Sequence, residues 1–227
     1  LWVDEGRLAG GGRSRTPAVD AAKTFAAQLK EHGVTVAGEP KKAKAKGDEV
    51  ARVESLPVHV LMETAMNRSN NSFTEIMGLQ LAAHTGHPST FAGAVDAIEE
   101  QLKPLDLWDK GTVLHDSSGL SRLNRVTTHM LARAVALVEG DQRLSVILDG
   151  LPTAGVTGTL ADRFEDATAR PARGVARAKT GTLSLVSTLV GTTATADGRV
   201  LSFAFMINGT PDGWAAKVWT DQATGVV

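Results

Sequence analysis

The stretch Ala178-Lys179-Thr180-Gly181-Thr182-Leu183 decides how this chain is read. It opens the β-rich end of the sequence, where Val175–Lys179, Ser184–Thr195 and Val200–Ile207 have strand character. Asp197-Gly198 between the last two is a strong hairpin signal. In a regular strand Lys179 and Gly181 share one face, and Thr180 and Thr182 share the other. The lysine supplies positive charge, and two hydroxyls on one face can both donate to a carboxylate. Gly181 has no Cβ, so an extended substrate can come close and add along the strand. A backbone N–H at this edge, that of Thr182, can form half of an oxyanion hole. Read alone, the stretch is also an ordinary hairpin strand with polar residues on its wet face.

Upstream the pattern is helical. Pro17–His32 carries apolar residues at Ala18, Ala21, Ala22, Phe25, Ala26 and Leu29, with Pro17 suited to a first turn and Gly33 to a stop. Further helices are expected over Val58–Asn67, Phe73–Thr85, Phe91–Leu102, Thr127–Glu139, Arg143–Leu148 and Thr159–Phe164, and one from Trp214 onward. Residues 1–16 read as a strand followed by a Gly-rich loop. Val34–Val36 and Ala51–Glu54 read as short strands. Lys41, Lys42, Lys44 and Lys46 fall in a segment from Gly38 to Glu49 that reads as a solvated loop. Helices first and an antiparallel sheet late predict an α+β fold, or a mixed α/β three-layer domain.

About a hundred residues before the Lys-Thr-Gly strand stands Ser69-Asn70-Asn71, between two expected helices. From such a loop a serine hydroxyl can relay a proton to a leaving amine, and an asparagine can bond both groups of a substrate amide. Capping is the competing role: Ser69 or Ser72 can cap the next helix, with Glu75 completing a capping box on Ser72. Asp116-Ser117-Ser118-Gly119-Leu120-Ser121 is a third polar cluster, either a turn or a loop bordering a cleft with Ser118 as its candidate contact. The histidines include His84 and His87, three apart, but no carboxylate–histidine set has a metal-binding spacing. His115 beside Asp116 reads as a loop residue, since no Gly-x-Ser-x-Gly elbow accompanies it. No metal and no cofactor is expected.

With 227 residues, of which 42% are hydrophobic, the chain can bury a core. A net charge of -1 gives no electrostatic case for nucleic acid or an anionic membrane. No cysteine is present, so disulfides and thiolate metal sites are excluded. No apolar run approaches the roughly 20 residues of a transmembrane helix. Leu1-Trp2-Val3-Asp4 does not resemble a signal peptide, and the chain reads as cut from something longer.

Four stretches, in order, resemble the motifs of the D-alanyl-D-alanine carboxypeptidases and endopeptidases of the penicillin-binding protein four type (low-molecular-mass class C). Ser69-Asn70-Asn71 with Glu75 resembles Ser-Asp/Asn-Asn followed by a glutamate-bearing helix. Asp116 to Asn124 resembles Asp-Gly-Ser-Gly-Leu-Ser-Arg-x-Asn, with Ser117 where the family usually has glycine. Leu151 to Leu160 resembles Leu-Pro-x-Ala-Gly-x-x-Gly-Thr-Leu. Ala178 to Leu183 resembles Ala-Lys-Thr-Gly-Thr-Leu. The resemblance runs from about Ser55 to Asn208. It implies a transpeptidase/β-lactamase-like domain, an antiparallel sheet flanked by helices, over residues 55–227. Residues 1–54 would be the return segment from an inserted domain. It also implies roles: Ser69 relays protons, Asn71 holds the substrate amide and Lys179 shapes the field near Ser69. Thr180 and Thr182 bind the terminal carboxylate along the Gly181 edge.

The implied substrates are D-Ala-D-Ala termini or D,D-crosslinks of peptidoglycan stem peptides, with β-lactams acylating the same site. The implied location is outside the cytoplasmic membrane. The family's Ser-x-x-Lys nucleophile is missing: no serine here has a lysine three positions on. It is expected upstream of residue 1, in an N-terminal portion of the same protein, and the isolated chain is expected to be inactive. Two other readings stay open. One is a non-catalytic muropeptide-binding or regulatory module; the other is a serine β-lactamase or esterase relative.

Overall fold

The computed structural model describes residues 4–44 and 46–227 and divides into two compact units, 1–55 and 56–227. In the first unit Asp4–Gly6 forms a 3-10 turn, and Arg7 bridges to Arg13 across a turn through Gly10-Gly11-Gly12. Arg13 holds this turn by donating to the Glu5 carboxylate and carbonyl, at 2.5 and 2.9 Å. The strand expected at the chain start is therefore a turn over its described part, and Leu1–Val3 lie outside the described residues. Helix α1 spans Pro17–Glu31. Neither Val34–Val36 nor Ala51–Glu54 is a strand. Among the described residues no neighbouring chain pairs with them, and Val50 and Val53 are fully exposed. A lone short segment cannot satisfy a strand's backbone groups. The described lysines at 41, 42, 44 and 46 are exposed and without regular structure; Ala45 lies outside the described residues.

The second unit holds helices α2 (Val58–Arg68), α3 (Asn71–His84), α4 (Phe91–Leu102), α5 (Thr128–Gly140) and α6 (Ser145–Gly150). They precede strands β1 (Arg177–Leu183), β2 (Val186–Ala194) and β3 (Val200–Asn208), and helix α7 (Gly213–Gly225) closes the chain. Helix starts follow side-chain caps: Thr90, Thr127 and Asp212 accept from Gly93, Met130 and Ala215 N–H groups at 2.8–3.1 Å. The sheet is antiparallel in the order β1-β2-β3. Its registers set Ala178 opposite Gly191 and Leu189 opposite Phe205.

Strand alternation then gives the sheet two faces. Ala178, Leu189 and Phe203 point into a core with Ala154, Leu160, Phe164, Ala169, Ala172 and Ala176. Helix α7 packs on this side, with Trp219 meeting the Phe205 ring edge-on at 5.7 Å. Helix α5 lies against β2 and β3, and Arg177, Lys179 and Gly181 look out from the other face. This is the mixed α/β fold expected, a three-stranded antiparallel sheet with helices.

The helix expected over Thr159–Phe164 shrinks to a 3-10 turn, Gly158–Leu160. Its competitor is a buried ion pair. Arg163 binds Asp221 of α7 through two contacts of 2.6 and 3.1 Å, and also reaches the Lys217 carbonyl and Thr220 hydroxyl. Phe164 adopts a left-handed φ of 64°, its N–H on the same carboxylate and its ring in the core. Both charged side chains are nearly inaccessible, at 14% and 8%. Removing one partner strands the other charge in a dry site. Asp221→Ala should therefore lower unfolding stability by about 3–5 kcal/mol. Urea denaturation checks this, and a loss below about 1 kcal/mol would contradict it.

Candidate active site

Helix α2 ends in a left-handed turn at Ser69 (φ 56°, ψ 54°). Asn70 N–H closes onto the Ala65 carbonyl at 2.8 Å and Ser69 N–H onto that of Met66 at 3.2 Å, a Schellman arrangement. Asn70, not Ser69 or Ser72, caps the following helix: its side chain accepts from Phe73 N–H at 3.0 Å. Capping by the middle residue leaves the Ser69 hydroxyl free for other work. Asn71 is the first residue of α3 and is exposed.

Across from this turn stands β1. The Lys179 ammonium donates to Ser69 Oγ at 2.8 Å and to the Thr180 carbonyl at 2.9 Å. The two motifs, 110 residues apart in sequence, thus meet directly. Burial lowers the Lys179 pKa from its ordinary 10.5 to about 8. Thr180 lies on the opposite face of the strand, at the rim of the core, where its hydroxyl meets that of Thr159 at 2.9 Å. Thr182 follows on the same face and is exposed. A Cβ on Gly181 would lie 2.3 Å from Thr188 Oγ1, so a side chain here would make that hydroxyl turn aside.

The backbone of β1 is only half paired on its outer side. Ala178 N–H donates to the Pro152 carbonyl, and the Ala176 carbonyl accepts from Ala154 N–H, both at 2.9 Å. Antiparallel alternation then turns the N–H and C=O groups of Thr180 and Thr182 outward too. Among the described residues no strand lies beyond them. An extended peptide can pair with this edge.

Two loops hold the walls. In the first, Leu151–Leu160, Gly158 (φ 55°) sits so close to the end of α2 that a Cβ would lie 2.4 Å from the Asn67 carbonyl. Asn67 also donates to Thr157 Oγ1 at 3.3 Å. The second is the Asp116–Asn124 loop. Asp116 accepts from the N–H groups of Gly119 and Ser121 and from the Asn124 side chain, at 2.5–2.9 Å. Glu75 accepts from the N–H groups of Ser117 and Ser118 at 3.2 and 3.0 Å. The capping box considered for Glu75 is thus not formed; its carboxylate reaches a loop 42 residues away instead. Ser117 is accommodated at Gly78 of α3, where a Cβ would lie 2.0 Å from its Oγ. The hydroxyls of Ser117 and Ser118 are buried without a partner among the described residues. Arg122 donates to the Ser184 carbonyl at 3.0 Å and so links the loop to the β1–β2 turn. Of the residues singled out in sequence, Ser69, Lys179 and Thr180 are joined through Lys179. Thr159, Asn67 and Arg122 carry no role in the sequence reading, although Thr159 and Arg122 stand inside the motif stretches.

The model of the D-Ala-D-Ala carboxypeptidase 3 (S13) family matches residues 7–226. A carboxypeptidase of Mycobacterium tuberculosis is 37% identical over 96% of this chain and 50% of its own length. A D-alanyl-D-alanine carboxypeptidase of an Actinomadura species is 32% identical over 85% of the chain and 37% of its own length. Among solved structures, penicillin-binding protein 4 of Haemophilus influenzae superposes with a TM-score of 0.80. It is 26% identical, over 94% of this chain and 49% of that one. The chain spans about half the length of the relatives it matches, or less.

Two outcomes follow from the geometry. A left-handed non-glycine residue is strained by roughly 1–2 kcal/mol. Ser69→Gly and Ser69→Ala both remove the hydroxyl, but only glycine removes the strain. The glycine variant should be the more stable by about 1 kcal/mol in urea titrations; equal stabilities would contradict strain at this turn. The second concerns pH. Between about 8 and 10.5 folded Lys179 has released its proton while the unfolded chain still holds it, so the Lys179 contribution to stability rises with pH across that window. Lys179→Met should flatten the rise, measured as the difference between the two pH–stability curves; parallel curves would contradict the lowered pKa.

Proposed function

We propose that this chain, which belongs to the D-Ala-D-Ala carboxypeptidase 3 (S13) family, forms much of the active cleft of a serine D,D-peptidase. The substrates are D-Ala-D-Ala termini or D,D-crosslinks of peptidoglycan stem peptides, and β-lactams acylate the same site. The observation that carries this is the 2.8 Å contact from Lys179 to Ser69 beside an open strand edge. A penicillin-binding fold with that contact has the parts for acyl transfer apart from a nucleophile. That serine, with its lysine, comes from another portion of the full-length protein. Residues 1–54 serve as the return from an inserted domain. The protein works outside the cytoplasmic membrane. Among the described residues no helix is long and apolar enough to cross one.

The chemistry proceeds by an acyl-enzyme. The nucleophilic serine gives its proton to its own lysine and attacks the penultimate D-Ala carbonyl while the substrate lies along β1. The Thr182 N–H faces the developing oxyanion, and Asn71 holds the substrate amide. Thr180 and Thr182 hydroxyls bind the terminal carboxylate, and Ser118 borders the cleft. Because Lys179 donates to Ser69 Oγ, the hydroxyl's own proton is free to point at the leaving amine. As Ser69 gives it up, Lys179 restores it, and the lowered lysine pKa eases that transfer. Water then hydrolyses the acyl-enzyme.

A second reading is a muropeptide-binding module without catalysis, which a full-length sequence with no Ser-x-x-Lys would favour. Intact mass after incubation with benzylpenicillin separates the two. The full-length protein should gain one penicillin per molecule. Lys179→Ala should slow that acylation by about a hundredfold or more. No adduct on the full-length protein favours the binding module, and near-normal labelling of the variant removes Lys179 from the mechanism.

A further inference from the structure

We propose that Thr159 is a positioning residue for carboxylate recognition, aiming the Thr180 hydroxyl proton at the free carboxylate of a bound peptide. The proposal rests on the carboxylate-binding role given to Thr180 above. Its basis is the 2.9 Å contact between the two hydroxyls, in which either oxygen is able to donate.

Proton accounting selects one arrangement. A hydroxyl carries one proton and two lone pairs. If Thr180 donates to Thr159, it has no proton left for a ligand. A carboxylate accepts only, so its arrival at Thr180 requires the reverse arrangement, with Thr159 donating to Thr180. That donation fills a Thr180 lone pair, turns its O–H toward the ligand and polarises it into a better donor.

Thr159 is well placed for this. Its neighbour Leu160 is fully buried in the core, and the Leu160 carbonyl accepts from Gly155 N–H at 2.9 Å. Its other neighbour, Gly158, abuts the Asn67 carbonyl. The turn is therefore gripped on both sides, and the Thr159 side chain remains exposed beside β1. An amidated or crosslinked end offers the Thr180 proton only a neutral carbonyl oxygen, a weaker acceptor than a carboxylate. Thr159 thus contributes to discrimination between terminal D-Ala-D-Ala and capped or crosslinked ends.

The test uses the full-length protein and two peptides, one ending in D-Ala-D-Ala with a free carboxylate and the same peptide amidated at that end. Calorimetry reads binding, and release of D-Ala or D-Ala amide reads turnover. Thr159→Val should weaken the free-carboxylate peptide roughly fivefold to tenfold, in Kd and KM, with little change for the amide. Thr159→Ser, which keeps the hydroxyl, should restore the preference; a merely structural role for the methyl group would not behave so. Equal losses on both peptides, or no loss on either, overturn the proposal. If wild type prefers the free carboxylate and Thr159→Val abolishes that preference while no acyl-enzyme forms, Thr159 stands and the peptidase reading falls. If wild type shows no preference for the free carboxylate, the Thr159 proposal falls whatever its turnover.

Discussion

The contact between Lys179 and Ser69 is the constraint around which the second unit is arranged. It joins a strand edge to a helix end, so both must arrive at fixed positions within a few tenths of an ångström. Each side accepts something unfavourable to make the contact. Ser69 adopts a left-handed conformation where glycine would be at ease. Lys179 carries its charge into a site dry enough to lower its pKa to about 8. Local preferences would avoid both. They persist because the turn is closed by two backbone bonds from α2 and because β1 is anchored by β2.

Support for the contact comes from the loops more than from the helices. The 151–160 loop touches both walls: Ala154 and Pro152 pair with the start of β1, while Gly158 and Thr157 meet the end of α2 at Asn67. The 116–124 loop is organised by two carboxylates facing backbone N–H groups, Asp116 from within and Glu75 from α3. Such charge-assisted bonds stiffen a loop without giving it regular structure. Because Glu75 and the Ser69 turn lie at the same end of α3, that helix ties the loop to the turn. Arg122 then carries the loop across to Ser184 beside β1.

Much of this was legible in the residues. Helix spans follow from 3.6-residue periodicity and caps, and Phe91–Leu102 agrees to the residue. The hairpin at Asp197-Gly198 follows from the chemistry of left-handed glycine, here at φ 83°. What was not legible depends on partners distant in sequence. The segments Val34–Val36 and Ala51–Glu54 have strand composition but find no pairing neighbour among the described residues, and composition does not report neighbours. Glu75 has the spacing of a capping box, yet Asn70 takes the cap and the carboxylate finds two N–H groups beyond residue 116. The expected helix at Thr159–Phe164 loses to a buried ion pair whose other half lies at Asp221. Thr159 stood inside a recognised motif, but its contact with Thr180 needs the loop's path to be known.

The open half of β1 has a structural cause of its own. The 151–160 loop begins as a pairing partner for β1, at Pro152 and Ala154, and would cover the whole edge if it continued extended. It turns away at Gly155 (φ 66°) and Gly158 (φ 55°), drawn to the end of α2 and into the core by Leu160. The outward N–H and C=O groups of Thr180 and Thr182 are left facing the space it vacates. A bare strand edge is normally a hazard that proteins shield. Here the Lys179 ammonium already engages the Thr180 carbonyl, which leaves a charged, short edge of a few residues. Such an edge is too short and too polar to invite sheet growth, and long enough to hold a dipeptide. The same departure of the loop brings Thr159 beside Thr180, so the segment that opens the edge also supplies the hydroxyl at its rim.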